Sequence, residues 1–217
     1  MERVTIILKA GAVSLFFFLV VFVFLKSEDR ADKLRKYILL PKGRWLHPNL
    51  ICLWRTLLAF ISDFLYFGTS YHDAAIYLFT FSATADGVDG LIARKCNLVT
   101  EAGKELDPLC DKLTYLPPIV GFAWRHHMNF YLVLLFTGFE VMGQLSRRLL
   151  SGYGYQSAAT IVGKIKAWPC FMAVIYFAVF ENGEIGTKFY GKEIIVICTI
   201  MSLLSIISKI NLKNGSS

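Results

Sequence analysis

Four aspartates stand in two pairs within DGVDGLIARKCNLVTEAGKELDPLCD, residues 86–111. Residues three or four apart on a helix share one face. Asp86 and Asp89 are therefore neighbours, with Ala93 a turn further on, and Gly103, Asp107 and Asp111 make a second stripe. A short basic loop joins the two segments, so the stripes can face each other and bring four carboxylates into one small volume. Such a cluster repels itself unless it is neutralised. Protons would do this by raising carboxyl pKa values. Divalent cations would do it too, and hard oxygen donors without His or Cys suit Mg²⁺, Mn²⁺ or Ca²⁺. Gly87, Gly90 and Gly103 remove side chains beside the carboxylates and open room for a ligand, while Arg94 and Lys95 supply positive charge at the rim. Space, cations and metal together suit a pyrophosphate substrate. The plainer alternative is a set of helix-end aspartates in ordinary salt bridges. Two stacked pairs with flanking glycines in so apolar a chain weigh against it.

The elements that must hold these stripes are apolar helices. The chain has 217 residues, is 55% hydrophobic, carries 15% aromatics and has a mean hydropathy of +0.52, too apolar for an ordinary soluble domain. The net charge of +7 does not indicate nucleic acid, because the basic residues sit between apolar runs rather than on one polar face. They fit positive-inside loops and contact with anionic lipid or phosphorylated substrates. Five cysteines, Cys52, Cys96, Cys110, Cys170 and Cys198, lack CxxC spacing and read as small buried packers rather than a disulfide framework or zinc site.

The first apolar run, residues 4–25, is long enough to cross a bilayer. A cleaved signal peptide would have a shorter core followed by a small-x-small site, so 1–25 is expected to be a retained transmembrane segment. Residues 26–48 form a basic juxtamembrane segment, either a solvated linker or an amphipathic helix at the cytoplasmic surface with Tyr37, Ile38, Leu39 and Leu40 facing lipid. Six further spans follow, at 49–68, 73–94, 103–124, 128–146, 167–181 and 193–211, and a short polar tail at 212–217 ends the chain. Pro117 and Pro118 predict a kink that neighbouring helices can satisfy. The fold class is thus an all-α integral membrane protein, multi-pass, with a six-helix membrane domain over 49–211 that carries the aspartate stripes. Basic loops at 26–47, 93–97, 146–150 and 163–166 and in the tail place the N-terminus outside, and both aspartate pairs at the cytoplasmic ends of consecutive helices.

The motif resembles that of the CDP-alcohol phosphotransferases, D-x2-D-G-x2-A-R-x8-G-x3-D-x3-D. Asp86, Asp89, Gly90, Ala93, Arg94, Gly103, Asp107 and Asp111 match every fixed position. HPNLICLWRTLL, 47–58, is similar to the family's N-x2-T-x2-R through Asn49 and Arg55, with Cys52 where Thr is usual. The spans after residue 48 fit the family's six-helix transmembrane bundle, and the first span is an addition to it.

The resemblance implies that a lipid or alcohol hydroxyl attacks a CDP-activated phosphoryl group and CMP leaves. It implies a two-metal site of Mg²⁺ or Mn²⁺ on Asp86, Asp89, Asp107 and Asp111, with Asp111 as general base. CDP would lie against Gly90, Ala93, Arg94 and Gly103, with Asn49 and Arg55 nearby. A snorkelling, lipid-facing role is the alternative for Arg55. LDPLCDK, 106–112, resembles the L-D-P-x-A-D-K of phosphatidylglycerophosphate and cardiolipin synthases, with Cys110 for Ala, and GKIKAW, 163–168, resembles their G-K-x-K-T, with Ala167 for Thr. Lys112, Arg147, Arg148, Lys164 and Lys166 are then candidates for an acceptor phosphate, or else topological anchors. CDP-diacylglycerol would donate to sn-glycerol 3-phosphate; inositol phosphate, inositol, serine or phosphatidylglycerol would use the same site. The resemblance also suggests a homodimer. Two rivals are a carboxylate-lined divalent cation transporter, which needs a pathway to both faces, and an inactive homologue with a scaffolding role.

Overall fold

The structure, a computed structural model, describes residues 2–125, 129–152, 167–180 and 190–214. The elements among them are helical: α1 Glu2–Phe24, α2 Glu28–Leu39, a 3₁₀ helix Pro41–Leu46, α3 Pro48–Gly68, α4 His72–Lys95, α5 Glu101–Arg125, α6 Phe130–Gly152, α7 Ala167–Phe180 and α8 Gly191–Asn214. A helix thus stands at every segment expected to span. Two of them, Val4–Phe24 and Pro48–Gly68, are long and apolar enough to cross a membrane, while Phe130–Ser146 and Pro169–Phe180 are apolar but shorter. The expectation of seven spans is met as seven helices, not as seven uniformly apolar ones. In α4 and α5 the reason is charge: α4 carries Asp86 and Asp89 and ends in Arg94 and Lys95, and α5 opens with Glu101, Lys104 and Glu105 before its aspartates. Helix α5 includes Pro117 and Pro118, and α8 runs into the expected polar tail, to Asn214.

The chain divides into two compact units, Met1–Thr114 and Tyr115–Ser217. In the first, α4 packs against both α3 and α1. Two buried hydroxyls tie α3 to α4, Ser62 donating to the carbonyl of Ala75 at 2.8 Å and Ser82 to that of Arg55 at 2.7 Å. On the α1 side, Gly87 lets the ring of Phe18 approach, since a Cβ there would stand 3.1 Å from it. The basic segment is a helix rather than a linker, and it does not lie as expected. Ile38, with Ala31 and the half-buried Leu34, faces inward onto Leu25, Val88, Leu91, Ile92, Cys96 and Leu98. Of the residues expected to face lipid, only Tyr37, Leu39 and Leu40 point outward. At Gly43 the 3₁₀ turn crosses the end of α2 so closely that a Cβ would lie 1.9 Å from the Tyr37 carbonyl oxygen. Trp45 of that turn stacks on Trp54 of α3, with ring centres 5.9 Å apart.

In the second unit α8 packs on α6 and α7. Its core includes Phe122, Phe136, Phe177 and Ile195. Within it the fully buried Glu140 accepts hydrogen bonds from the Tyr115 hydroxyl, at 2.7 Å, and from the Ser202 hydroxyl. An apolar interior makes unpaired carboxyl oxygens costly, and these two hydroxyls satisfy one oxygen each.

Candidate active site

The turn between α4 and α5 orients the two aspartate stripes. Asn97 adopts φ 51°, in the left-handed region. The Leu98 N–H bonds the Ala93 carbonyl at 2.9 Å, and the Asn97 N–H bonds the Arg94 carbonyl at 3.4 Å. This paired closure ends a helix sharply, and Leu98 anchors it in the apolar cluster beneath. Thr100 then starts α5. Its hydroxyl accepts the Gly103 N–H at 3.0 Å, the N-cap bond that satisfies an otherwise orphaned donor. The same hydroxyl takes the Asn49 amide at 3.0 Å, so the start of α3 is fastened to the start of α5.

Arg55 stands at the centre of the aspartates. It is 1% exposed, so the lipid-facing alternative is excluded. Its Nη2 lies 2.7 Å from Asp111 Oδ1 and 3.0 Å from Asp86 Oδ1, and its Nε lies 3.3 Å from Asp89 Oδ2. The last contact is an ion pair without hydrogen-bond alignment: Arg55 Nε and Nη1 and Asp89 Oδ2 make no hydrogen bond. Helix α3 therefore holds three of the four predicted carboxylates together through one guanidinium. Asp107 stands outside these three contacts, on the cavity wall. One cation cannot neutralise four carboxylates, and the group keeps an appetite for further positive charge.

Beside Asp89 and Asp107 opens a cavity of about 160 Å³. Asn49, Gly90, Ala93, Arg94 and Gly103, all expected to meet CDP, line it; Arg55 does not. The glycines divide their work differently from the expectation. At Gly90 a Cβ would have ordinary contact only with the Arg94 guanidinium, 3.6 Å away, so this position does leave space. At Gly103 a Cβ would meet Asn49 Oδ1 at 2.7 Å, so this glycine permits the Asn49–Thr100 fastening. Gly87 faces Phe18 of α1 and not the cavity. Thr100 and Lys104 also line the cavity and were missed. The N-cap preference of Thr was the available signal for the first, and Lys104 stands a turn before Asp107 on the stripe.

The chemistry of this donor set, though not its present spacing, suits divalent ions. The residues offer carboxylate oxygens only, one of them a buried Asp89 oxygen that pairs with Arg55 by charge but accepts no hydrogen bond. Among the described residues no three His, Cys, Asp or Glu side chains are gathered closely enough to ligate one ion; Arg55 occupies the space between them. Of the acceptor candidates, Lys112 donates to the Pro108 carbonyl at 3.2 Å. Arg147 and Arg148 lie in the last turns of α6, with side chains outside the described set, and Lys164 and Lys166 lie outside the described residues.

Residues 45–208 match the CDP-alcohol phosphatidyltransferase family, and the chain belongs to it. It is similar to the CDP-diacylglycerol–glycerol-3-phosphate 3-phosphatidyltransferase of Bacillus subtilis, 39% identical over 103 residues, covering 48% of this chain and 53% of that protein. A CMP-forming cardiolipin synthase of Streptomyces coelicolor is 31% identical over 115 residues, 50% of this chain and 53% of the relative. These matches span about half the length of either relative. The Escherichia coli CDP-diacylglycerol–glycerol-3-phosphate 3-phosphatidyltransferase matches at 25% over 167 residues, 74% of this chain and 90% of its own.

Proposed function

We propose that this chain transfers a phosphatidyl group from CDP-diacylglycerol to sn-glycerol 3-phosphate, releasing CMP, at a cytoplasmic-side site in a membrane. The observation that carries the reading is the gathering of Asp86, Asp89 and Asp111 around buried Arg55, beside a cavity lined by the rest of the motif. The relatives named for glycerol 3-phosphate favour that acceptor; the cardiolipin synthase keeps phosphatidylglycerol as the second candidate. Outward-facing Leu8, Phe16 and Val20 of α1 and Leu53, Leu57 and Phe64 of α3 support a lipid surround.

Each residue then has a task. The cytidine diphosphate enters the cavity over Gly90 and Ala93, with Arg94 and Lys104 meeting phosphate oxygens by charge-assisted hydrogen bonds. Asp86, Asp89, Asp107 and Asp111 would hold two Mg²⁺ or Mn²⁺ ions, whose charge would neutralise the pyrophosphate and favour departure of CMP. Arg55 keeps three of those carboxylates aligned and prevents their mutual repulsion. Asp111 accepts the proton of the acceptor hydroxyl as that oxygen bonds to phosphorus. Lys164 and Lys166, with Lys112, Arg147 and Arg148, are proposed to bind the acceptor phosphate.

The test is CMP release from CDP-diacylglycerol by purified protein with Mn²⁺ or Mg²⁺. The acceptors are glycerol 3-phosphate, inositol phosphate, inositol, serine and phosphatidylglycerol, with Asp111→Asn as the blank. Release with glycerol 3-phosphate alone is expected. Release with another acceptor alone reassigns the substrate, and release with none removes the transferase reading and brings metal uptake into vesicles to the front.

A further inference from the structure

His47 stands between the 3₁₀ turn and α3, half-buried, and its backbone is committed to both. Its N–H bonds the Arg44 carbonyl at 3.0 Å, and its carbonyl takes the Leu50 N–H at 2.8 Å and the Ile51 N–H at 3.0 Å. Pro48 opens α3 and has no N–H. The Asn49 N–H is thus the donor of this first turn that needs a side-chain acceptor. His47 supplies one: its Nδ1 accepts the Asn49 N–H at 3.3 Å. An imidazole accepts at Nδ1 only when that nitrogen is bare, with the ring proton on Nε2. The same Asn49 lines the cavity. Its amide donates to the Thr100 hydroxyl at 3.0 Å and accepts from it at 3.3 Å, and that hydroxyl caps α5 through the Gly103 N–H. Pro48, Thr100 and Gly103 line the cavity as well. One imidazole nitrogen therefore secures the start of the helix from which a cavity wall is built.

We propose that His47 is a positioning residue for the nucleotide-bearing donor, and that its neutral imidazole, acting through Asn49, makes donor binding sensitive to protons. The proposal rests on the reading of the cavity as the CDP site. Protonation puts a hydrogen on Nδ1, so two N–H groups face each other where one bond stood. The Asn49 N–H then loses its acceptor, the start of α3 frays, and the Asn49–Thr100 pair that shapes the cavity loosens with it. Histidine is the side chain that ordinarily changes charge between about pH 5 and pH 8, which sets the range to scan. Other charged groups belong to the elements around this junction. They are Lys36 in the last turn of α2, Lys42 and Arg44 on the 3₁₀ turn, Arg94 at the end of α4, and Glu101 and Lys104 at the start of α5; α3 has no acidic residue in its first turn. Glu101 and Lys104 pair with each other at 2.8 Å. A variant that changes His47 alone keeps all of these, and so separates their titration from that of the imidazole.

The experiment uses the full chain in phosphatidylcholine nanodiscs with saturating Mn²⁺. The KM for CDP-diacylglycerol and kcat are measured from about pH 8 down to about pH 5.5 for the parent, His47→Asn and His47→Ala. Asn caps a helix start without charge at any of these pH values, and Ala does not cap. At about pH 8 the parent and His47→Asn should share one KM, with His47→Ala above it by about threefold or more. At about pH 5.5 the parent should reach the KM of His47→Ala while His47→Asn stays below both, and kcat should follow one course in all three. Unfolding midpoints in chelator, which need no turnover, should show the same pattern. The parent should fall about 2–6 °C below His47→Asn at the acid end and coincide with it at the alkaline end. The proposal is overturned if the parent and His47→Asn keep a common KM at both ends, or if His47→Ala matches the parent at the alkaline end. Should the protein release no CMP with any acceptor, the transferase reading falls and the midpoints decide the cap: parent and His47→Asn coinciding across the whole range would overturn it.

Discussion

Replacing Arg55 by Met removes the guanidinium and keeps most of the side-chain volume. At an effective dielectric of about 20, a unit ion pair at ~3 Å is worth roughly 5 kcal/mol before desolvation is subtracted. Asp86 is 42% exposed and largely screened by solvent, so the effect rests on Asp89, at 6%, and Asp111, at 24%. Removing one partner from a buried pair costs about 3–5 kcal/mol, because the charges left behind lose their counter-ion. For a chain of this size each kcal/mol moves the melting midpoint by about 2–4 °C, which gives a fall of roughly 6–20 °C. The assay is thermal unfolding in detergent with excess chelator, repeated with saturating Mn²⁺. Divalent ions and Arg55 compete for the same carboxylates, so Mn²⁺ should recover more stability in Arg55→Met than in the parent. Arg55→Lys should fall in between, since an ammonium keeps the charge but not the fork. A midpoint in chelator within ~3 °C of the parent, or Mn²⁺ stabilising the parent more than the variant, would refute the reasoning.

Asp111→Asn should lower kcat by about 10²–10⁴ while CDP-diacylglycerol still binds, as read by equilibrium dialysis; a variant with parental kcat removes Asp111 as the base. Excess chelator should abolish CMP release and added Mn²⁺ or Mg²⁺ should restore it, whereas full turnover in chelator would rule out a metal-dependent reaction. Gly103→Ala places a Cβ 2.7 Å from Asn49 Oδ1 and should cost about 1–3 kcal/mol, seen as a lower unfolding midpoint and a raised CDP-diacylglycerol KM. Gly90→Ala, whose Cβ meets only the movable Arg94 head at 3.6 Å, should leave the midpoint unchanged and raise the KM alone; equal effects from the two would deny the division of labour between these glycines.

The aspartate stripes were legible because a helical period of three and four is written directly into the order of residues, and so was the helical character of each apolar run. The role of Arg55 was not. Its partners lie 31, 34 and 56 positions along the chain, and only the packing of α3 on α4, with the turn that returns α5 beside them, brings them together. Gly87 was misread for a related reason. Spacing places it beside the carboxylates, but a helix has other faces, and this one receives Phe18. The basic segment showed its amphipathic pattern in sequence, yet pattern alone does not say whether an apolar face meets lipid or protein. Ile38 meets Leu91 and Ile92 because α2 folds back over the end of α4.

The stacked indoles of Trp45 and Trp54, with ring planes 29° apart, make the junction between α2 and α3 visible to light. Two coupled chromophores at this separation give a paired circular-dichroism band that isolated tryptophans do not. The band reports the seating of the 3₁₀ turn on α3. Because that turn leads directly into Asn49 and the cavity, the protein carries its own spectroscopic gauge of whether the floor of the proposed nucleotide site is in place. It can be read during titration with nucleotide or metal without attaching a dye.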